Sequence, residues 1–130
     1  MKNFKNFFLL LLTVSAVTFT SCTKEDDCTP PAVETNIVGS WTVALGSGDA
    51  AEFKSDGTLV DPTGEIFEIE VNGVNYSEKT YTVANDTLTV IAKDPNSTNS
   101  GDASFAIKEN ECDKITLDSG LGIDFVLNRE

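Results

Sequence analysis

From residue 37 onward, apolar side chains recur at every second position in short runs, and no stretch keeps the three-and-four spacing of an amphipathic helix. Trp41, Val43 and Leu45 share one face of the first run. Ala51 and Phe53 precede the tight turn Ser55-Asp56-Gly57-Thr58, and Leu59 follows it. Phe67, Ile69 and Val71 alternate with the water-facing Glu68 and Glu70 and run into Asn72-Gly73, a strong hairpin signal. Tyr81 and Val83 pass through Asn85-Asp86 to Leu88 and Val90, and Phe105 and Ile107 follow a loop over residues 93–102. Glu109-Asn110-Glu111 turns the chain into Ile115 and Leu117, and Ser119-Gly120 turns it into Ile123, Phe125 and Leu127. The pattern predicts an all-β domain over residues 37–130 with about eight or nine short strands joined by short turns. Such a meander buries one sheet face and escapes exposed edges most simply by closing into a small antiparallel up-and-down barrel. A two-sheet sandwich is the competing architecture.

The first 21 residues read as an address. Lys2 and Lys5 precede thirteen uncharged, mostly apolar residues, 7–19. A helix of that length spans roughly 20 Å, short of the roughly 30 Å hydrocarbon core, so it reads as the apolar region of a signal peptide and not as a membrane span. It ends in Phe19-Thr20-Ser21-Cys22, which resembles the lipobox of bacterial lipoproteins; that resemblance implies acylation of Cys22, with chains such as palmitate, as the new N-terminus. An ordinary secretory signal is the alternative. Thr23-Lys24-Glu25-Asp26-Asp27 resembles the surface-export signal of lipoproteins from the Bacteroidetes group, which implies a protein anchored to the outer membrane and facing outward. The same run also serves as a solvated, charge-repelling spacer. Residues 22–36, with Pro30-Pro31, read as a lipidated flexible tether.

Of three cysteines, a lipidated Cys22 leaves Cys28 and Cys112, an even pair in an oxidising compartment. They are expected to form a disulfide, which would pin the base of the tether to the domain; two free thiols are the alternative.

Ile37-Val38-Gly39-Ser40-Trp41 matches the glycine, any residue, tryptophan signature that opens the first strand of lipocalin-like barrels, and Arg129 stands at the end of the last predicted strand. Phe53-Lys54-Ser55-Asp56-Gly57-Thr58 resembles the phenylalanine and Asp-Gly-Thr hairpin of small lipocalin-like lipoproteins from Bacteroidetes. The resemblance covers residues 37–129 and implies that Arg129 lies over the Trp41 ring to close the barrel bottom. A cation over an indole contributes roughly 0.5 to 2 kcal/mol. Eight strands give an interior that side chains either just fill or leave open for one small ligand. Trp41, Phe53, Phe67, Ile69, Tyr81, Phe105 and Phe125 are the bulky inward set. Phe67, Tyr81, Phe105 and Phe125 are candidates to line an apolar pocket, with the Tyr81 hydroxyl orienting a ligand.

Charge narrows the functions further. Twenty-one acids face nine bases, a formal −12 with no histidine. That balance argues against nucleic-acid binding, which displaces counterions with Lys and Arg. The missing imidazole excludes serine-histidine-aspartate hydrolysis and histidine-based zinc catalysis. No cofactor, metal site or enzymatic activity is expected: Glu68 and Glu70 lie on the polar side of a strand, where nothing excludes water. The run Asp94-Pro95-Asn96-Ser97-Thr98-Asn99-Ser100-Gly101-Asp102 fails the EF-hand calcium template at its sixth and twelfth places and reads as a flexible hairpin tip. Asp86-Thr87-Leu88 resembles the O-glycosylation acceptor of exported Bacteroidetes proteins, which makes Thr87 a candidate; it is also an ordinary hairpin start. Two functions remain. One is a membrane-anchored barrel that binds a small apolar or amphipathic ligand; the other is a filled scaffold that contacts an envelope protein or a glycan.

Overall fold

The computed structural model describes residues 28–44, 49–64 and 66–130. The leader, Cys22, residues 23–27 and Leu45 lie outside the described residues. One helical turn, α1 (Val33–Asn36), precedes ten strands: β1 (Gly39–Val43), β2 (Ala50–Phe53), β3 (Thr58–Val60), β4 (Glu70–Val71), β5 (Val74–Asn75), β6 (Glu78–Ala84), β7 (Thr87–Lys93), β8 (Ser100–Asn110), β9 (Lys114–Asp118) and β10 (Asp124–Arg129). Eight of them close into an antiparallel barrel in the order β1-β10-β9-β8-β7-β6-β3-β2, while β4 and β5 form a separate hairpin. The period-two pattern therefore produces the expected barrel, not a sandwich.

Turn chemistry sets the registers. Asn85-Asp86 and Asn72-Gly73 take positive φ at both central positions, the mirror-image turn whose twist matches the flanking strands. Asp56 accepts the Thr58 N–H at 2.9 Å across the β2–β3 turn. At β8 an irregularity between Ile107 and Glu109 inserts Lys108. Lys108 then reaches Asp124 at 2.7 Å and Asp118 at 3.2 Å, and these two carboxylates hold its ammonium above the usual lysine range.

Three expectations need correction. Only residues 70–71 of the predicted 67–71 run form a strand. The alternation of burial nonetheless holds, with Phe67, Ile69 and Val71 buried and Glu68 and Glu70 exposed. Ile123 faces solvent: it lies in the β9–β10 turn before β10 begins, where its carbonyl accepts the Ser119 hydroxyl at 3.0 Å.

The tether also ends earlier than residue 36. Val33, Asn36 and Ile37 are buried, so α1 packs onto the barrel in place of an extended linker. Asn36 donates to Asn110 Oδ1 at 2.7 Å and to the Glu111 carbonyl at 2.6 Å. The disulfide joins Cys28 to Cys112 in the β8–β9 turn and secures the same place.

Above α1 the barrel bottom closes as the resemblance implies. Arg129 lies 4.2 Å from the centroid of the fully buried Trp41 ring. Its guanidinium donates to the carbonyls of Cys112 (3.0 Å), Val38 (3.3 Å) and Asn36 (2.6 Å) and to Asn36 Oδ1 (2.8 Å). The indole N–H is satisfied by the Ile37 carbonyl at 2.7 Å. Gly39 explains the first residue of the signature: its φ is +135°, and a Cβ there would stand 2.9 Å from Arg129 Nη1.

Arg129→Ala should lower the unfolding free energy by about 3 kcal/mol, because it removes the cation from the ring and the donors from carbonyls that lie half-buried. Arg129→Lys should recover only part of that, since an ammonium has no planar fork. Urea unfolding followed by Trp41 fluorescence measures both.

Candidate functional site

Ligands enter barrels through their open ends, so the distal end, opposite α1 and the disulfide, is the place to look. The β1–β2, β3–β6, β7–β8 and β9–β10 connections lie there. The long one, residues 61–77, leaves the wall after β3, forms the β4–β5 hairpin and returns as β6. Its apolar residues Phe67, Ile69 and Val71 turn inward and cover the end. Gly101 on β8 permits this close approach, since a Cβ there would stand 2.9 Å from Ile69 Cγ2.

A buried ion pair fixes the base of this cover. Asp61 and Lys79 are 0% and 2% exposed. Lys79 Nζ donates to Asp61 Oδ2 at 3.0 Å, Phe67 N–H donates to the same oxygen at 2.9 Å, and Gly64 N–H donates to Oδ1 at 3.1 Å. One carboxylate thus orders the start of the segment and aims Phe67 inward. The pair escaped the sequence reading because a lysine among Glu78, Thr80 and Thr82 reads as one more water-facing residue. The signal was there in its phase: Lys79 lies two residues before the inward-pointing Tyr81.

The tip of the cover is tied as well. Asn72 donates to Asp94 Oδ2 at 2.9 Å, and Asn99 donates to Asn72 Oδ1 at 2.8 Å. Asp94 further accepts the Asn96 N–H and the Ser97 hydroxyl, each at 2.8 Å. These donors hold its carboxyl below the ordinary range, the Asn96 N–H foremost. The hairpin tip between β7 and β8 is a bonded turn that grips the β4–β5 turn. Among the described residues no group of three or more His, Cys, Asp or Glu side chains is placed to hold a metal ion.

The four candidate pocket residues do come together, but on one another. Phe53 meets Tyr81 at 5.0 Å between ring centroids and Phe67 at 5.8 Å; Phe67 meets Phe105 at 5.6 Å, and Phe105 meets Phe125 at 5.7 Å. Every contact is edge-to-face, the arrangement favoured by ring quadrupoles. Phe67 is the central ring, carried into the interior by the cover. The Tyr81 hydroxyl donates its proton to the Lys54 carbonyl at 2.8 Å. Burial, with the Asp56 charge second, raises the Tyr81 phenol above its ordinary value, so it remains a donor.

Thr87 begins β7 and is half-buried, its hydroxyl 3.4 Å from the Asn85 carbonyl. At the end that carries α1 and the disulfide, an open cleft of about 430 Å³ separates residues 32–34 from residues 107–110. The chain matches no family model, no curated protein and no solved structure.

Asp61→Asn should destabilise the barrel by about 3 to 5 kcal/mol, because it leaves a buried ammonium without its counter-charge. Lys79→Met should cost less, since Asp61 keeps two backbone N–H donors. Chemical denaturation ranks the two variants, and amide exchange should accelerate over residues 62–77 before the rest of the barrel opens.

Proposed function

We propose that this chain is a lipid-anchored, non-catalytic surface module whose lipocalin-like barrel is filled, and that it works through its exterior by contacting another envelope protein or a glycan. The observation that carries this reading is the position of Phe67. A ring supplied by the cover occupies the middle of the interior, between Phe53 and Phe105. An apolar ligand in that space would have to expel it, break the edge-to-face contacts on both sides and draw the cover away from the Asp61–Lys79 pair.

The anchor is proposed from the leader and the lipobox-like Phe19-Thr20-Ser21-Cys22, with the outer membrane and its outward face proposed from the acidic run behind Cys22. Two features support an anchored module. The disulfide and α1 fasten the chain to one end of the barrel soon after Cys22, which turns the other end away from the membrane. Removal of the leader takes Lys2 and Lys5 and leaves seven bases against twenty-one acids, a charge of −14 that repels anionic headgroups and keeps the module clear of the surface.

The ligand-binding alternative rests on the same eight strands, and one titration separates the two. The chain as it stands should show no saturable binding of a fluorescent fatty acid, whereas Phe67→Ala, which vacates the central ring at a stability cost of about 3 to 5 kcal/mol, should create such binding. Saturable, stoichiometric binding by the unaltered chain would overturn the filled-barrel reading. Separately, Cys22→Ser should abolish incorporation of labelled palmitate in cells and move the protein out of the membrane fraction; unchanged labelling would refute the anchor.

A further inference from the structure

The wall of the barrel is unfinished along one side of β8. That strand pairs with β7 from Ser100 to Ala106, but β9 reaches only as far as Asp118, opposite Ala106. Residues 100–105 therefore have a sheet neighbour on one side only, among the described residues. The Ile107 N–H bonds the Asp86 carbonyl at 2.8 Å on the β7 side. Alternation along an antiparallel strand then directs the N–H and C=O groups of Phe105, Ala103 and Gly101 toward β7, and those of Ser104 and Asp102 into the open edge. The side chains of Asp102 and Ser104 are exposed.

Beside this edge stands the β9–β10 turn, which presents Leu121 at 84% and Ile123 at 58% exposure. The third large apolar side chain exposed among the described residues, Val74, belongs to the cover at the same distal end. An unpaired strand edge next to exposed apolar side chains is an arrangement that proteins usually blunt, and an added extended peptide satisfies both parts of it. It would supply two acceptors and two donors to Asp102 and Ser104 and lay an apolar side chain on Leu121 and Ile123.

Charge selects the occupant. Asp102 stands in the middle of the edge, Asp118 and Asp124 flank its lower end and share the single Lys108, and the whole chain carries −12. A second copy would bring the same excess of carboxylates to the same place, whereas a basic strand is drawn in.

We propose that the β8 edge over residues 100–105, together with Leu121 and Ile123, docks an extended segment of another polypeptide, one that alternates apolar and basic side chains, as an added strand. This deepens the reading of the barrel as an outward-working interaction module and rests on it.

The test titrates a capped seven-residue peptide of alternating valine and lysine into the full chain, with a valine and glutamate peptide as comparison. Calorimetry gives the affinity, and amide chemical shifts give the place. Binding should saturate for the lysine peptide alone, with shifts centred on residues 100–105 and 119–123. Ser104→Pro removes one outward N–H and none of the bonds to β7, and should weaken binding roughly tenfold or more. Leu121→Ser, on an exposed turn where the fold is indifferent to it, should also weaken binding and guards against a misfolded proline variant. No saturable binding, equal binding of the glutamate peptide, or shifts elsewhere would overturn the proposal. A concentration-dependent dimer dissolved by Ser104→Pro would assign the edge to a second copy and overturn it as well. Fatty-acid uptake by the unaltered chain tests the filled barrel independently, so the two failures are distinguishable.

Discussion

The guanidinium of Arg129 lies 4.2 Å from the centroid of the Trp41 ring and at the same time donates to carbonyls on Asn36, Val38 and Cys112. Those contacts join the first strand, the last strand, the turn that holds the disulfide and the helical turn before β1. Each partner needs the others. The indole is buried because the cation covers it, and the cation is tolerated there because four oxygens and a π-face replace the water it gives up. Gly39 lets the backbone pass beneath the guanidinium, and Asn36 holds both the arginine and β8. Closure of the barrel at this end is therefore a polar arrangement around one aromatic ring, not only a matter of strand pairing.

The opposite end is closed by different means. There the chain makes a detour of residues 61–77 and folds it over the opening, and the buried pair of Asp61 and Lys79 works as a hinge pin for that cover. A buried ion pair is a weak contributor to stability in itself, because desolvation offsets most of the attraction. What Asp61 adds is direction: by accepting from Gly64 and Phe67 as well, it fixes where the cover begins and which way Phe67 points. The tip is held to the β7–β8 turn through Asn72, Asp94 and Asn99. Phe67 joins the cover to the aromatic residues of the barrel through its contacts with Phe53 and Phe105.

The filled barrel proposed here moves the functional question to the outside of the wall. One end of the barrel carries α1 and the disulfide beside an open cleft, and the other, the distal end, carries the cover. Its exposed apolar side chains and its open strand edge lie together, and its charge is negative. These features support the proposed reading of a module that presents a surface.

The period-two runs, the Asn-Gly and Asn-Asp turns and the Gly-x-Trp signature with its distant arginine made the barrel legible from the chain alone, because each is a local rule: alternation places side chains on one face, and a positive φ is a property of two residues. The pairing of Cys28 with Cys112 was legible for a similar reason, since only two cysteines remained once Cys22 was set aside. The rest depended on how elements far apart in the chain meet. Lys79 looks water-facing until the return of the cover brings Asp61 to it, and Ile123 looks inward until the β9–β10 turn leaves it outside β10 and exposed. The aromatic residues announced themselves as inward, but the ring contacts of Phe67 with Phe53 and Phe105, made from a segment outside the barrel wall, depended on the tertiary structure. Sequence determined which side chains seek the interior, through alternation and turn chemistry; only the tertiary structure decided how much room they leave there, because free volume is a property of all the packed elements together and belongs to no single run of residues.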